Sequence, residues 1–137
     1  MAALSNYLAK KILDHVLGNQ AYSAPSTVYL ALYTAAPSAS GGGTEVSGGS
    51  YARKSITNNN TNWPDTVSGT GEKFLGVEQA FTAASADWGI VTSWAILDAS
   101  SGGNFLMFGT LTTPITILSG DIFRFPSGSS GLKVTAS

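Results

Sequence analysis

The side chains able to do chemistry are few, and their spacing leaves each one short of a partner. His15 is the single histidine of the 137-residue chain. It lies in an amphipathic helical pattern with no second imidazole and no thiol, so a zinc site or a Ser-His-Asp relay lacks parts. Asp87, Asp98 and Asp121 are the aspartates that could supply the paired carboxylates of a glycosidase. Each instead flanks Trp-Gly, a Ser/Gly turn or a strand start, where aspartate serves as a turn residue. Asp98, Ser100, Gly102 and Asn104 have the every-second-residue spacing of a calcium loop, but the distal bidentate glutamate is missing. The glycines of residues 37–49, PSASGGGTEVSGG, lack the Lys-Ser or Lys-Thr and the following helix of a phosphate-cradling loop. The expectation is a non-enzymatic protein with no catalytic residues, no metal and no cofactor.

Composition narrows the class further. Charged residues are 11% of the chain, against roughly 25% in an ordinary soluble domain. Hydrophobic residues are 43% and include Trp63, Trp88 and Trp94, enough to drive collapse. A surface built from neutral hydrogen-bonding groups suits a protein partly covered by other subunits. Seven basic and eight acidic residues are spread without a block of one sign, which argues against a nucleic-acid partner. No apolar run approaches the ~20 residues needed to cross a bilayer, so no membrane partner is expected. The basic pair of MAALSNYLAKK follows the first apolar residues, the reverse of a secretory signal, and implies synthesis in the cytoplasm. The absence of cysteine removes disulfides and thiol chemistry.

The elements that carry these residues read as mainly β. Residues 87–111, DWGIVTSWAILDASSGGNFLMFGTL, form two strands apolar on both faces, joined by a polar turn. Strands of that kind belong in the middle of a sandwich, with Trp94, Ile96, Leu106 and Phe108 in its core. Ser5 is an N-cap for a helix over residues 6–17, with Leu8, Ile12, Leu13, Val16 and Leu17 recurring at helical spacing and Gly18-Asn19 as its stop. Residues 27–34, TVYLALYT, alternate as a strand, residues 37–49 as a flexible loop, and residues 51–57 as an edge strand guarded by Arg53 and Lys54. Residues 58–76 lose all periodicity around Trp63 and Phe74, the pattern of a contact loop. Further short strands follow at 77–81, 114–118, 121–125 and 132–135, the second and third joined by Ser119-Gly120 as a hairpin. The fold class is therefore mainly β, an antiparallel β-sandwich or jelly-roll-like domain over residues 21–137, with a short N-terminal α-helix over residues 1–20 as an arm. Leu8, Ile12, Val16, Trp63 and Phe74 are the candidate interface residues, because each is a large apolar group on a helix or loop with no evident place in the sandwich.

LSNYLAKKILDHVLG at residues 4–18, STVYLALYTAAPS at 26–38, GGGTEVSGGSYAR at 41–53, the 86–111 hairpin and SGDIFRF at 119–125 together resemble the small tailed-bacteriophage proteins labelled "phage tail fiber protein". The resemblance runs almost end to end and departs at residues 58–77. It implies a non-enzymatic structural protein of the virion. A chain without coiled coil, collagen-like repeat or β-helix has no fibre shaft. It suits a capsid decoration, or cement, protein that binds the major capsid protein and stabilises the head; the alternative is a tail-fibre or tail-associated protein that recognises host glycans. Its low charge and spare amphipathic helix lead to the expectation of a homo-oligomer, a trimer by analogy with other virion decoration proteins. A carbohydrate-binding module that stacks sugar rings on Trp63 or Tyr51 is a further alternative.

Overall fold

The computed structural model describes residues 3–65, 71–128 and 131–135. In chain order its elements are β1 (Ala3–Leu4), α1 (Asn6–Gly18), β2 (Thr27–Ala35), β3 (Thr44–Glu45), β4 (Lys54–Thr57), β5 (Glu72–Phe74), β6 (Gln79–Ala80), β7 (Gly89–Leu97), β8 (Phe105–Ile117), β9 (Arg124–Phe125) and β10 (Lys133–Thr135). All the strand pairings are antiparallel. The protein is thus mainly β with one short N-terminal helix, as its residue pattern indicates.

The apolar ribbon of β7 and β8 lies in the middle of the main sheet, whose order is β1-β8-β7-β2-β3 with β4 also on β2. Alternation sends Leu30, Leu32, Trp94 and Ile96 to one face, where they join Leu75, Phe81, Phe123, Phe125, Leu132 and Val134 in the main core. Those partners come from two separate two-stranded sheets, β5 with β10 and β6 with β9, and the segments beside them. The layer against the main sheet is therefore assembled from small pieces rather than one continuous sheet. The opposite face carries a smaller cluster of Ala31, Tyr33, Ala95 and Leu97, with Phe105 and Phe108 half-buried against it. Phe108, expected in the core, thus sits on the outer face, because it opposes Ala95 rather than Trp94.

The β7–β8 turn forms as its residues require. The Asp98 carboxylate accepts from the backbone N–H and the side-chain amide of Asn104, and Gly102 and Gly103 both have positive φ. The later hairpin is a correction. Val91 opposes Ile115 and Ser93 opposes Thr110, so residues 111–114 bulge out against Thr92 alone and β8 runs on to Ile117. Ser119-Gly120 still makes a tight turn, closed by the Asp121 N–H to the Leu118 carbonyl. The chain then leaves the sheet, and residues 121–125 lie along residues 79–84, with the Phe81 N–H bonded to the Phe123 carbonyl. Core demand decides this, because Phe123 and Phe125 are both buried and their rings meet at 4.9 Å.

The helix is rooted at its start and free at its end. Ser5 is buried; its hydroxyl accepts from the Leu8 N–H and donates to the Phe105 carbonyl, while its own N–H binds the Leu106 carbonyl. Leu8, 5% exposed, belongs to the main core. Asn19, with φ 54°, closes the other end by donating its N–H to the Asp14 carbonyl. Lys10 and Asp14 pair one turn apart on the helix surface.

Candidate interaction surface

His15 stands exposed in the last turn of α1, and the three aspartates that could have done chemistry are spent on turns. The structure brings Asp87 and Asp121 to the same corner, where their carboxylates accept the backbone N–H groups of Ser119 and Leu118, respectively. Asp98 closes the turn at the other end of the ribbon. Among the described residues there is no group of three metal-ligating side chains. In the turn with calcium-like spacing, the Ala99 and Gly102 carbonyls face a guanidinium: Arg53 Nη1 donates to both, at 2.8 and 2.9 Å.

Arg53 belongs to a polar cluster that the residue pattern alone did not expose. It was expected as an edge-guarding charge, yet its side chain is 10% exposed and forms a two-pronged pair with Glu45, Nε to Oε2 and Nη2 to Oε1, both at 2.9 Å. The Tyr51 hydroxyl donates to the same Glu45 at 2.8 Å and accepts from the Leu32 N–H at 3.0 Å. It thereby fills the gap on the edge of β2 between β4 and β3. Burial alone would raise the Glu45 carboxyl, but the hydrogen bonds from Arg53 and Tyr51, with the charge of Arg53, outweigh it and hold the carboxyl below the usual glutamate range. Burial, helped by the neighbouring carboxylate, pushes the Tyr51 phenol strongly up. The cluster ties the β7–β8 turn to the segment expected as a flexible loop, where Val46 is buried and residues 44–45 form β3. The Tyr51 ring stacks on Phe81 and meets Trp88 edge-on, so it does not offer an open platform for a sugar. The sequence signal was the spacing of Tyr51 and Arg53, two apart and so on one side of an extended segment, next to a lone glutamate among glycines and serines.

The five candidate interface residues are partly brought together. Leu8, Ile12 and Trp63 line one cleft of about 460 Å³, walled also by Tyr22, Pro25, Val28, Ile96, Leu106 and Met107. Leu8 forms its floor within the core, Ile12 its rim, and Val16 stands beyond it at 68% exposed. Trp63 packs against the main core as a half-buried residue, and its carbonyl accepts from Lys73 Nζ, which also binds Pro64 and Asp65. Phe74 lies on β5 opposite Lys133, half-buried and outside the cleft lining. Leu13 and Leu17, part of the helix's apolar pattern but not among the five candidates, are 57% and 81% exposed and complete its apolar surface. Their signal was in the sequence, since they repeat at a spacing of four beside Ile12 and Val16. What this arrangement can do is bury apolar area against another molecule; it has no group placed for bond chemistry among the described residues.

Residues 3–133 match the family described as Podophage GP4 fiber I protein gp80, and the chain belongs to that family. It is accordingly a phage structural protein, a component of the virion that associates with other virion proteins. No curated protein matches the chain.

Proposed function

We propose that the protein is a non-enzymatic subunit of a virion fibre appendage, and that it attaches to neighbouring subunits through the outer side of α1. Membership of a fibre-protein family over residues 3–133 supports the fibre assignment. The observation that carries the attachment role is the half-rooted helix: residues 5 and 8 are buried in the body, while Leu13, Val16 and Leu17 face water. Burying one large aliphatic side chain contributes roughly 1.5 to 3 kcal/mol, whereas an exposed ion pair contributes under about 1 kcal/mol. An apolar surface on a chain with few charges is thus the strongest adhesive it owns. In this reading residues 1–20 are the arm, 21–137 the body, and copies of the chain itself are among its partners.

Capsid decoration through the major capsid protein is the second reading. A specific feature favours it: among the described residues the longest helix has 13 residues, about 20 Å, and no described element extends into a shaft. Counting copies per particle by quantitative mass spectrometry separates the two. A fibre component is present in tens of copies or fewer, and a shell decoration in hundreds; a count in the hundreds overturns the fibre assignment.

A further inference from the structure

The cleft beside α1 is sunk into the core rather than laid across the surface. Leu8, Val28, Ile96 and Leu106, all buried members of the main core, reach it from α1, β2, β7 and β8. Tyr22 and Trp63 add aromatic walls, and Met107 a flexible thioether. Its volume of about 460 Å³ lies within the roughly 300 to 1,000 Å³ of small-molecule sites. An engineered apolar cavity of only about 150 Å³ already takes up benzene. Close-packed interiors leave few such spaces. We propose that this cleft is a binding site for a small uncharged molecule with a hydrocarbon body.

The polar groups around the cleft select that class of ligand. Lys73 Nζ donates to the carbonyls of Trp63 and Pro64 and to the Asp65 carboxylate. The Glu72 carboxylate accepts from Lys133 Nζ at 3.1 Å, and the Asn58 side-chain amide donates to the Pro25 carbonyl. A charged ligand would have to break these pairs or enter without a counter-charge, and a charge taken out of water alone is strongly disfavoured. A sugar would bring several hydroxyls against walls made mainly of aliphatic and aromatic carbon, where each one left unpaired opposes binding. Water is a poor occupant for the same reason, since a held water needs about 2 to 4 polar partners. A hydrocarbon body gives up no hydrogen bond on entering. The ion pairs of Lys73 and Glu72 beside the cleft weigh against a lipid still seated in its bilayer, whose apolar interior would meet those charges. They weigh equally against a side chain inserted from a neighbouring subunit, because the centre of a protein interface is depleted of charge. The occupant is therefore a free molecule, and its site is distinct from the outer side of α1.

Titration of the full-length protein into the uncharged dye N-phenyl-1-naphthylamine tests this. Dye fluorescence is expected to rise several-fold and to saturate at one dye per chain, with 1-octanol displacing the dye and glucose leaving it bound. Ala24 is an exposed residue in the cleft wall. Ala24→Trp, which fills the space, is expected to weaken the dye at least tenfold with an unchanged circular dichroism spectrum, and Asn58→Trp serves as a second filling variant should the first not fold. Leu17→Asp, on the helix surface away from the cleft lining, is expected to bind the dye as the unmodified protein does. The absence of saturable binding overturns the inference. So does binding that Leu17→Asp abolishes and Ala24→Trp leaves intact, which would place the dye on the helix surface, or displacement of the dye by glucose. None of these results changes the copy number on the particle or the contacts of α1, so the fibre reading is tested separately.

Discussion

Gly109 on β8 is the position where adding one methyl group should change sign with its neighbour. The Trp94 indole, 4% exposed, lies across it: a Cβ on residue 109 would stand 2.5 Å from Trp94 Cζ2 and 2.7 Å from Cε2. Real side chains do not approach so closely, so either the ring or the strand must move. Overpacking of that kind costs about 1 to 3 kcal/mol. Opposing it, replacing glycine by alanine restricts the unfolded chain, which stabilises by about 0.4 to 1 kcal/mol when the backbone conformation suits alanine, and φ at Gly109 is not positive. In the unmodified protein the clash wins, and Gly109→Ala should lose about 1 to 2 kcal/mol net. Trp94→Ala alone should lose about 3 to 5 kcal/mol, as expected for a buried aromatic. In the Trp94→Ala background the clash is gone, so Gly109→Ala should be neutral or stabilise by up to about 1 kcal/mol. Urea unfolding of the four proteins measures this, with the shift read in the midpoint at constant slope. Trp94→Leu provides a milder background should Trp94→Ala unfold. Equal destabilisation by Gly109→Ala with and without the indole would refute the packing described for this face.

Arg53→Met should cost about 1.5 to 3 kcal/mol, because it removes the charge-assisted bonds to a Glu45 carboxylate that keeps the Tyr51 hydroxyl and some access to water; thermal unfolding checks it. The Glu45 carboxyl is held below its ordinary value in the folded chain, so it contributes stability above the normal glutamate pKa, and that contribution is lost as pH falls through the lowered folded value. Glu45→Gln should therefore flatten the acid side of the stability-against-pH curve relative to the unmodified protein, measured by urea midpoints. Ser5→Ala removes the helix cap together with the bond to Phe105, and should cost about 1 to 2 kcal/mol. Attachment of the protein to particles stripped of it should survive about 1 M salt, where the screening length falls to roughly 3 Å, but fall sharply for Leu13→Asp; release by salt alone would assign the contact to charges.

Local patterns were legible wherever one element decided its own structure. Ser5, the 3.6-residue stripe and Gly18-Asn19 bounded the helix within a residue, and the alternation of TVYLALYT gave β2. The DASSGGN turn joined β7 to β8 as its residue types require. What could not be read depended on distant partners. PITIL and DIFRF look like a hairpin because each alternates and Ser119-Gly120 links them. Pairing is decided elsewhere, by Val91 claiming Ile115 and by Phe81 claiming Phe123. Arg53 looked like an edge charge because its partner, Glu45, lies inside a glycine-rich segment that has no strand pattern of its own. On the helix, the apolar pattern of Leu8, Ile12, Leu13, Val16 and Leu17 was visible but not its division: the body takes Leu8, while Leu13, Val16 and Leu17 are left outside. Sequence periodicity shows which residues share a face, not how much of that face the rest of the chain can reach.

Electron cryomicroscopy of the intact particle, at a resolution that shows side chains, tests the central claim most directly. The account predicts density for this fold within a fibre appendage, with α1 buried at Leu13, Val16 and Leu17 against another subunit. Density for the fold spread over the capsid shell, or within a fibre with α1 facing solvent, would contradict it.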